Sequence, residues 1–218
     1  MTHADGFPLC LSGLRVAVGG REVVRVETLE ARPGELLHLR GKNGAGKTTL
    51  LRALVGVLPY TGRARVQGHP PGSVGARQAT AFVPTDADLP DDLTVAEGLT
   101  FLAAAWRVPE APLLALAEHF GLGAWLDAWP MTLSRGTRQK VALALGLGLG
   151  LPLTLLDEPF ATLDTASRDV LREAIAQRCA EGGAVIVTTH GQELDALPQR
   201  VLELEGGVLH VPSAGEAA

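Results

Sequence analysis

The nine residues Gly41-Lys42-Asn43-Gly44-Ala45-Gly46-Lys47-Thr48-Thr49 fit the pattern G-x-x-x-x-G-K-[ST], and each position has a chemical reason. The glycines let the backbone turn so that several N–H groups converge on phosphate oxygens, and a helix beginning there points its positive end at them. Lys47 supplies a mobile ammonium for the β- and γ-phosphates, and Thr48 offers a hydroxyl to Mg²⁺. The loop alone specifies a nucleoside triphosphate and no more.

A second set of groups lies far downstream. The apolar run Leu153-Thr154-Leu155-Leu156 ends in Asp157-Glu158-Pro159. A buried strand of this kind delivers Asp157 beside the phosphate loop to hold Mg²⁺, and Glu158 beyond it to polarise an attacking water. Another apolar run, Val185-Ile186-Val187-Thr188-Thr189, ends in His190, where ligands of α/β sheets bind and where an imidazole can hydrogen-bond a terminal phosphate. A glycine-rich turn, a solvated strand end and an exposed histidine are the plain alternatives, but their order along one chain favours a single site.

The elements that must position these groups can be read from pattern. Leu9 to Leu39 reads as strands with turns at Gly19-Gly20 and Pro33-Gly34, and 35–40 as a strand feeding the loop. A helical pattern from Lys47 to Leu58 is closed by Pro59. From about Asp86 to Leu145 the chain is mostly helical, with Thr94 and Glu97 spaced as a capping box. The apolar run from Val141 to Leu156 holds Pro152 and several glycines and reads as a helix end, a turn and a buried strand. It is shorter than the roughly 20 residues of a membrane span. A helix over 166–180, a strand over 184–189 and a closing hairpin around Gly206-Gly207 complete the pattern. The last few residues are expected to fray. Gly146, Gly148 and Gly150 are costly in a helix, so the helix there either ends early or packs tightly.

Composition sets outer bounds. The 218 residues are 46% hydrophobic and carry 19 basic and 24 acidic side chains, for a net charge of -5. No Lys/Arg block marks a nucleic-acid footprint, so no nucleic acid is expected as partner. Cys10 and Cys179 have no disulfide or metal spacing and suit a reducing compartment. Met1 to Pro8 lacks the features of a signal peptide.

Together these motifs, with Leu133-Ser134-Arg135-Gly136-Thr137 and the following Arg138-Gln139-Lys140, resemble the ABC ATPase family over nearly the whole chain. The 133–137 segment is similar to the family's signature motif in its export-type variant. The resemblance implies an α/β fold: a P-loop NTPase core, mainly parallel sheet flanked by helices, with an N-terminal antiparallel β subdomain and an inserted helical subdomain. One domain is implied, with the core in 1–85 and 146–218 and the helical subdomain in 86–145. It implies ATP and Mg²⁺ as ligands and two ATPase chains, identical or not, packed head to tail. Ser134, Arg135 and Gly136 of one copy would face the triphosphate of the other, and Asp164 would lie at the interface. A separate transmembrane permease would be the partner, with this chain cytoplasmic and peripheral on the membrane. The short length and the Arg138-Gln139-Lys140 tail resemble exporters with an ABC-2-type membrane partner, and Asp157-Glu158-Pro159-Phe160 with Thr188-Thr189-His190 resembles the haem exporters. A soluble non-transport ABC ATPase and a low-turnover regulatory subunit are the alternatives.

The chain departs from that family at three positions. Where a glutamine usually follows Phe82-Val83-Pro84 to touch Mg²⁺ and sense the membrane subunit, this chain has Thr85, with Asp86 as a substitute. No aromatic residue lies near Val18 to stack on adenine, which leaves Val16 or Val18 for aliphatic contact. Arg135 stands where the signature usually has glycine, offering a charge to phosphate or to the opposing subunit.

Overall fold

The computed structural model describes residues 6–211. The expectations for the first five residues and for the tail concern residues outside that span.

Among the described residues, nine strands form one sheet: β1 (Leu9–Val18), β2 (Arg21–Ala31), β3 (Leu36–Arg40), β4 (Tyr60–Val66), β5 (Thr80–Val83), β6 (Leu153–Asp157), β7 (Ala184–Thr188), β8 (Arg200–Glu205) and β9 (Val208–His210). Their spatial order is β4-β1-β2-β9-β8-β3-β7-β6-β5. The β3-β7-β6-β5 portion is parallel, with β8 parallel to β3. β4, β1 and β2 are antiparallel, and a single register pair, Arg25 with Val208, joins β2 to β9. The antiparallel β region is therefore an extension of the core sheet.

Helices cover both faces. They are α1 (Lys47–Leu54), α2 (Val74–Gln78), α3 (Val95–Trp106), α4 (Ala111–His119), α5 (Arg135–Gly148) and α6 (Thr165–Ala180). Because successive side chains of a strand point to opposite faces, the buried strands serve two cores. Leu37, Leu39, Leu153, Leu155 and Ile186 pack with α1 and the antiparallel strands. Leu36, Leu156, Val185 and Val187 pack with residues of α3 to α6, including Leu99, Leu113, Leu143, Leu171 and Ile175. The helical lobe shares its core with the sheet, and the boundary placed at 145/146 falls inside α5.

Four local features complete the frame. The capping box is complete: Glu97 N–H donates to Thr94 Oγ1 (3.3 Å) and Thr94 N–H to Glu97 Oε2 (2.8 Å). α1 stops four residues before the expected Leu58, because Gly56 turns left-handed (φ 78°) where its backbone meets Gly72. α5, by contrast, runs through its glycines. A Cβ at Gly146 would lie 2.4 Å from Val83 Cγ2, and one at Gly148 2.9 Å from Leu113 Cα, so their bare backbone lets α5 approach β5 and α4. Both cysteines are half-buried and free, and burial raises the thiol of Cys179 to about 11 and pushes that of Cys10 up as well. Neither is a reactive thiolate.

Candidate functional site

β3 runs directly into the phosphate loop, and Gly46 then starts α1 with φ 108°. A Cβ at Gly46 would sit 2.7 Å from Val24 Cγ2, so a larger residue would push the loop off β2. Gly46 provides no side-chain cap, and the first turn of α1 holds no acidic residue. Its leading N–H groups are thus uncapped, at the positive end of the helix, ready for an anion.

The chain's own groups gather around this end. Lys47 is buried, and its Nζ donates to the Gly41 carbonyl (2.8 Å), 3.4 Å from Glu158 Oε1 and from both ring nitrogens of His190. His190 Nε2 lies 2.8 Å from the same Glu158 oxygen. Oε1 is buried and accepts no hydrogen bond of ordinary geometry. At the next position of α1, Thr48 Oγ1 donates to Asp157 Oδ2 (2.7 Å). The structure therefore brings Lys47, Thr48, Asp157, Glu158 and His190 together at the ends of β3, β6 and β7.

One participant was not apparent from the sequence. Thr188, fully buried, donates its hydroxyl to Asp157 Oδ1 (2.7 Å) and accepts from the Glu158 N–H (2.8 Å). Asp157 and Thr188 are register partners, so aligning the two apolar strands at their polar ends would have found it. The bond also holds Glu158 at φ 49°, a left-handed conformation that costs a non-glycine residue energy and that active sites retain when their surroundings enforce it.

Oxygen donors suit Mg²⁺, and a buried carboxylate next to a threonine hydroxyl is the donor set that a cation completed by phosphate oxygens and water requires. Thr48 and Asp157 fit that requirement. Asp86 does not join them: its Oδ1 lies 2.6 Å from Arg135 Nη2, and its side chain is open to solvent. Thr85 is half-buried beyond the end of β5. Of the two valines expected near adenine, Val16 is buried in the core and unavailable, whereas Val18 is 47% exposed.

The 133–137 segment stands apart from this cluster. Among the described residues, no hydrogen bond or ion pair joins residues 133–137 to residues 41–49. Ser134 caps α5, accepting from Thr137 N–H (3.1 Å). Asp164 caps α6 through Ser167 N–H (2.8 Å) and pairs with Lys140 of α5 (2.9 Å). Lys140, together with the Ser167 N–H, holds the Asp164 carboxyl well below the usual range. Gly136 abuts the Thr162 carbonyl, where a Cβ would lie 3.0 Å away. The segments before α5 and α6 thus form one exposed corner.

Residues 25–161 match the family model described as ABC transporter. Among curated relatives, the cytochrome c biogenesis ATP-binding export protein CcmA of Pseudomonas savastanoi pv. phaseolicola is 37% identical over 196 residues, 86% of this chain and 90% of that protein. The protein of the same description from Cereibacter sphaeroides is 35% identical over 210 residues, covering 96% of this chain and 95% of the relative. The aliphatic sulfonates import ATP-binding protein SsuB of Pseudomonas putida is 36% identical over 205 residues, 93% of this chain and 74% of that protein. A solved ATP-binding subunit of an ABC transporter superposes with a TM-score of 0.86 at 26% identity, covering 93% of this chain and 89% of that one.

Proposed function

The chain belongs to the ABC transporter family as an ATP-binding subunit whose ATP hydrolysis is coupled to transport, and on that premise we propose that it drives export as one half of a head-to-tail ATPase dimer docked on a separate transmembrane permease. Among the described residues no helix is long and apolar enough to cross a membrane. A separate permease, with this chain on its cytoplasmic face, is consistent with that. Several relatives are export proteins of cytochrome c biogenesis, and we place this chain's cargo in that same process.

The observation that carries the reading is the convergence of Lys47, Thr48, Asp157, Glu158 and His190 on the uncapped start of α1. The backbone of Gly41 to Thr49, which includes Lys42, Asn43, Gly44, Ala45 and Gly46, wraps the triphosphate of ATP. Lys47 leaves Gly41 and Glu158 for the β- and γ-phosphates, freeing the Glu158 carboxylate. Glu158 accepts the proton of the attacking water, and His190 contacts the γ-phosphate. Thr48 and Asp157 hold Mg²⁺, which neutralises phosphate charge when bound. Thr188 keeps Asp157 oriented through its second oxygen.

Ser134, Arg135 and Gly136 of the second copy close over the γ-phosphate, with Asp164 at the seam between copies. Ser134 and Arg135, on an exposed helix start, lie apart from their own chain's phosphate loop, and a facing copy supplies a triphosphate. Glu158→Gln keeps the shape of the site while removing the base. It is expected to bind ATP, turn over at least about a hundredfold more slowly and accumulate as a dimer in light scattering. A Glu158→Gln protein with parental turnover refutes the assignment of the base, and one that stays monomeric at saturating ATP refutes the shared site.

A further inference from the structure

The first turn of α5 holds two cations, Arg135 and Arg138, and no acidic residue. A helix start already bears partial positive charge, so these side chains sit where cations are disfavoured. Arg138 turns back and donates to the Leu133 carbonyl (2.9 Å). Arg135 reaches outward instead, to Asp86 on the segment that leaves β5 (2.6 Å). The two side chains are 57% and 77% exposed. An ion pair so open to water is weak and readily exchanged.

We propose that Asp86 is a placeholder for phosphate: it holds Arg135 in the free subunit and yields it to the γ-phosphate of the second copy when the dimer closes. The inference rests on the shared site described above and adds a competitor to it. Carboxylate and phosphate are alternative anions for one guanidinium. Phosphate enters with more charge and also meets the α5 backbone donors, which Asp86 leaves untouched. Closure therefore breaks one Asp86–Arg135 pair in each copy.

The exchange has a consequence on the other side of the pair. Asp86 borders a groove that also contains Asp88, Asp91, Pro130, Met131 and one cation of its own, Arg138. Once Arg135 departs, this groove loses a neighbouring cation, so the segment after β5 senses closure at the signature. Asp86 is thus a positioning residue acting through Arg135, and its role is separate from metal binding.

The test uses the full chain in the Glu158→Gln background and reads the ATP concentration that gives half-maximal dimer by analytical ultracentrifugation. Asp86→Asn, which removes the competing charge at an exposed position, is expected to lower that midpoint about two- to fivefold at low salt. The gain should shrink as salt screens the pair. In an Arg135→Gly background Asp86→Asn should have no effect, since only a coupled pair gives that non-additivity. A midpoint that ignores Asp86→Asn, or moves equally with and without Arg135, overturns the exchange while leaving the shared site standing. Failure of Glu158→Gln itself to dimerise overturns the shared site, and the exchange with it.

Discussion

Two helix starts in this protein carry anion chemistry, and they are built in opposite ways. α1 begins without a side-chain cap and is surrounded by its own chain's lysine, threonine and carboxylates. α5 begins with Ser134 as a cap and two arginines, and among the described residues Asp86 is the one counter-charge from elsewhere in the chain. The first is a finished half-site, with a buried carboxylate already locked between two threonines. The second, under the proposed function, is a half-site that a partner completes. The proposed function, in which nucleotide binds to one subunit and is hydrolysed by a pair, accounts for this asymmetry.

Breaking the α1 side should have the largest effect. Lys47→Ala is expected to cut ATPase turnover about 10²- to 10³-fold and to weaken ATP binding by the isolated subunit in calorimetry. Parental binding and turnover would remove the reason to regard α1 as the phosphate end. The α5 side should respond differently. Ser134→Asp retains a capping carboxylate for Thr137 N–H yet sets a negative charge where phosphate must approach. Turnover should fall more than about tenfold with subunit ATP affinity and melting temperature held. Loss of affinity in the lone subunit would mean that the two starts are not separate.

Smaller changes sharpen the contrast. Thr188→Val removes the hydroxyl that supports both Asp157 and the Glu158 N–H, and should destabilise the fold by about 1–3 kcal/mol, read as a lowered melting temperature. An unchanged melt would show that the Thr48 bond suffices. The smallest effect concerns His38 on β3, which leads into the phosphate loop. Its Nδ1 accepts from Arg40 Nε (3.2 Å), and burial, then Arg40, lowers its proton affinity below the ordinary value. The unfolded chain therefore binds more protons, so stability is full above about pH 6.5 and declines as pH falls below it. His38→Asn should flatten that acid limb in thermal melts, and an unchanged slope would assign it to other groups.

What could be read in the sequence was what local chemistry dictates. The phosphate loop, the Thr94–Glu97 box and the strand ending at Asp157 each declare themselves within about ten residues. Features that depend on distant neighbours did not. Thr188 matters because β7 lies beside β6, and Asp86 meets Arg135 only once the chain between them has folded. The early end of α1 follows from Gly56 meeting Gly72, and the glycines of α5 make sense only against Val83 and Leu113. The β4 and β5 strands, short or charged, gave little signal of their own.

The contact between Gly146 and Val83 makes α5 a lever. Its fulcrum lies near the helix's far end, on the strand that leads to Thr85 and Asp86, and the start of α5 is about 16 Å away at the usual helical rise. A pivot of about 10° there would swing Ser134 and Arg135 by about 3 Å, which is the difference between touching a neighbour's phosphate and missing it. A small tilt imposed on α5 near the end of β5 would thus become a larger displacement at the helix start.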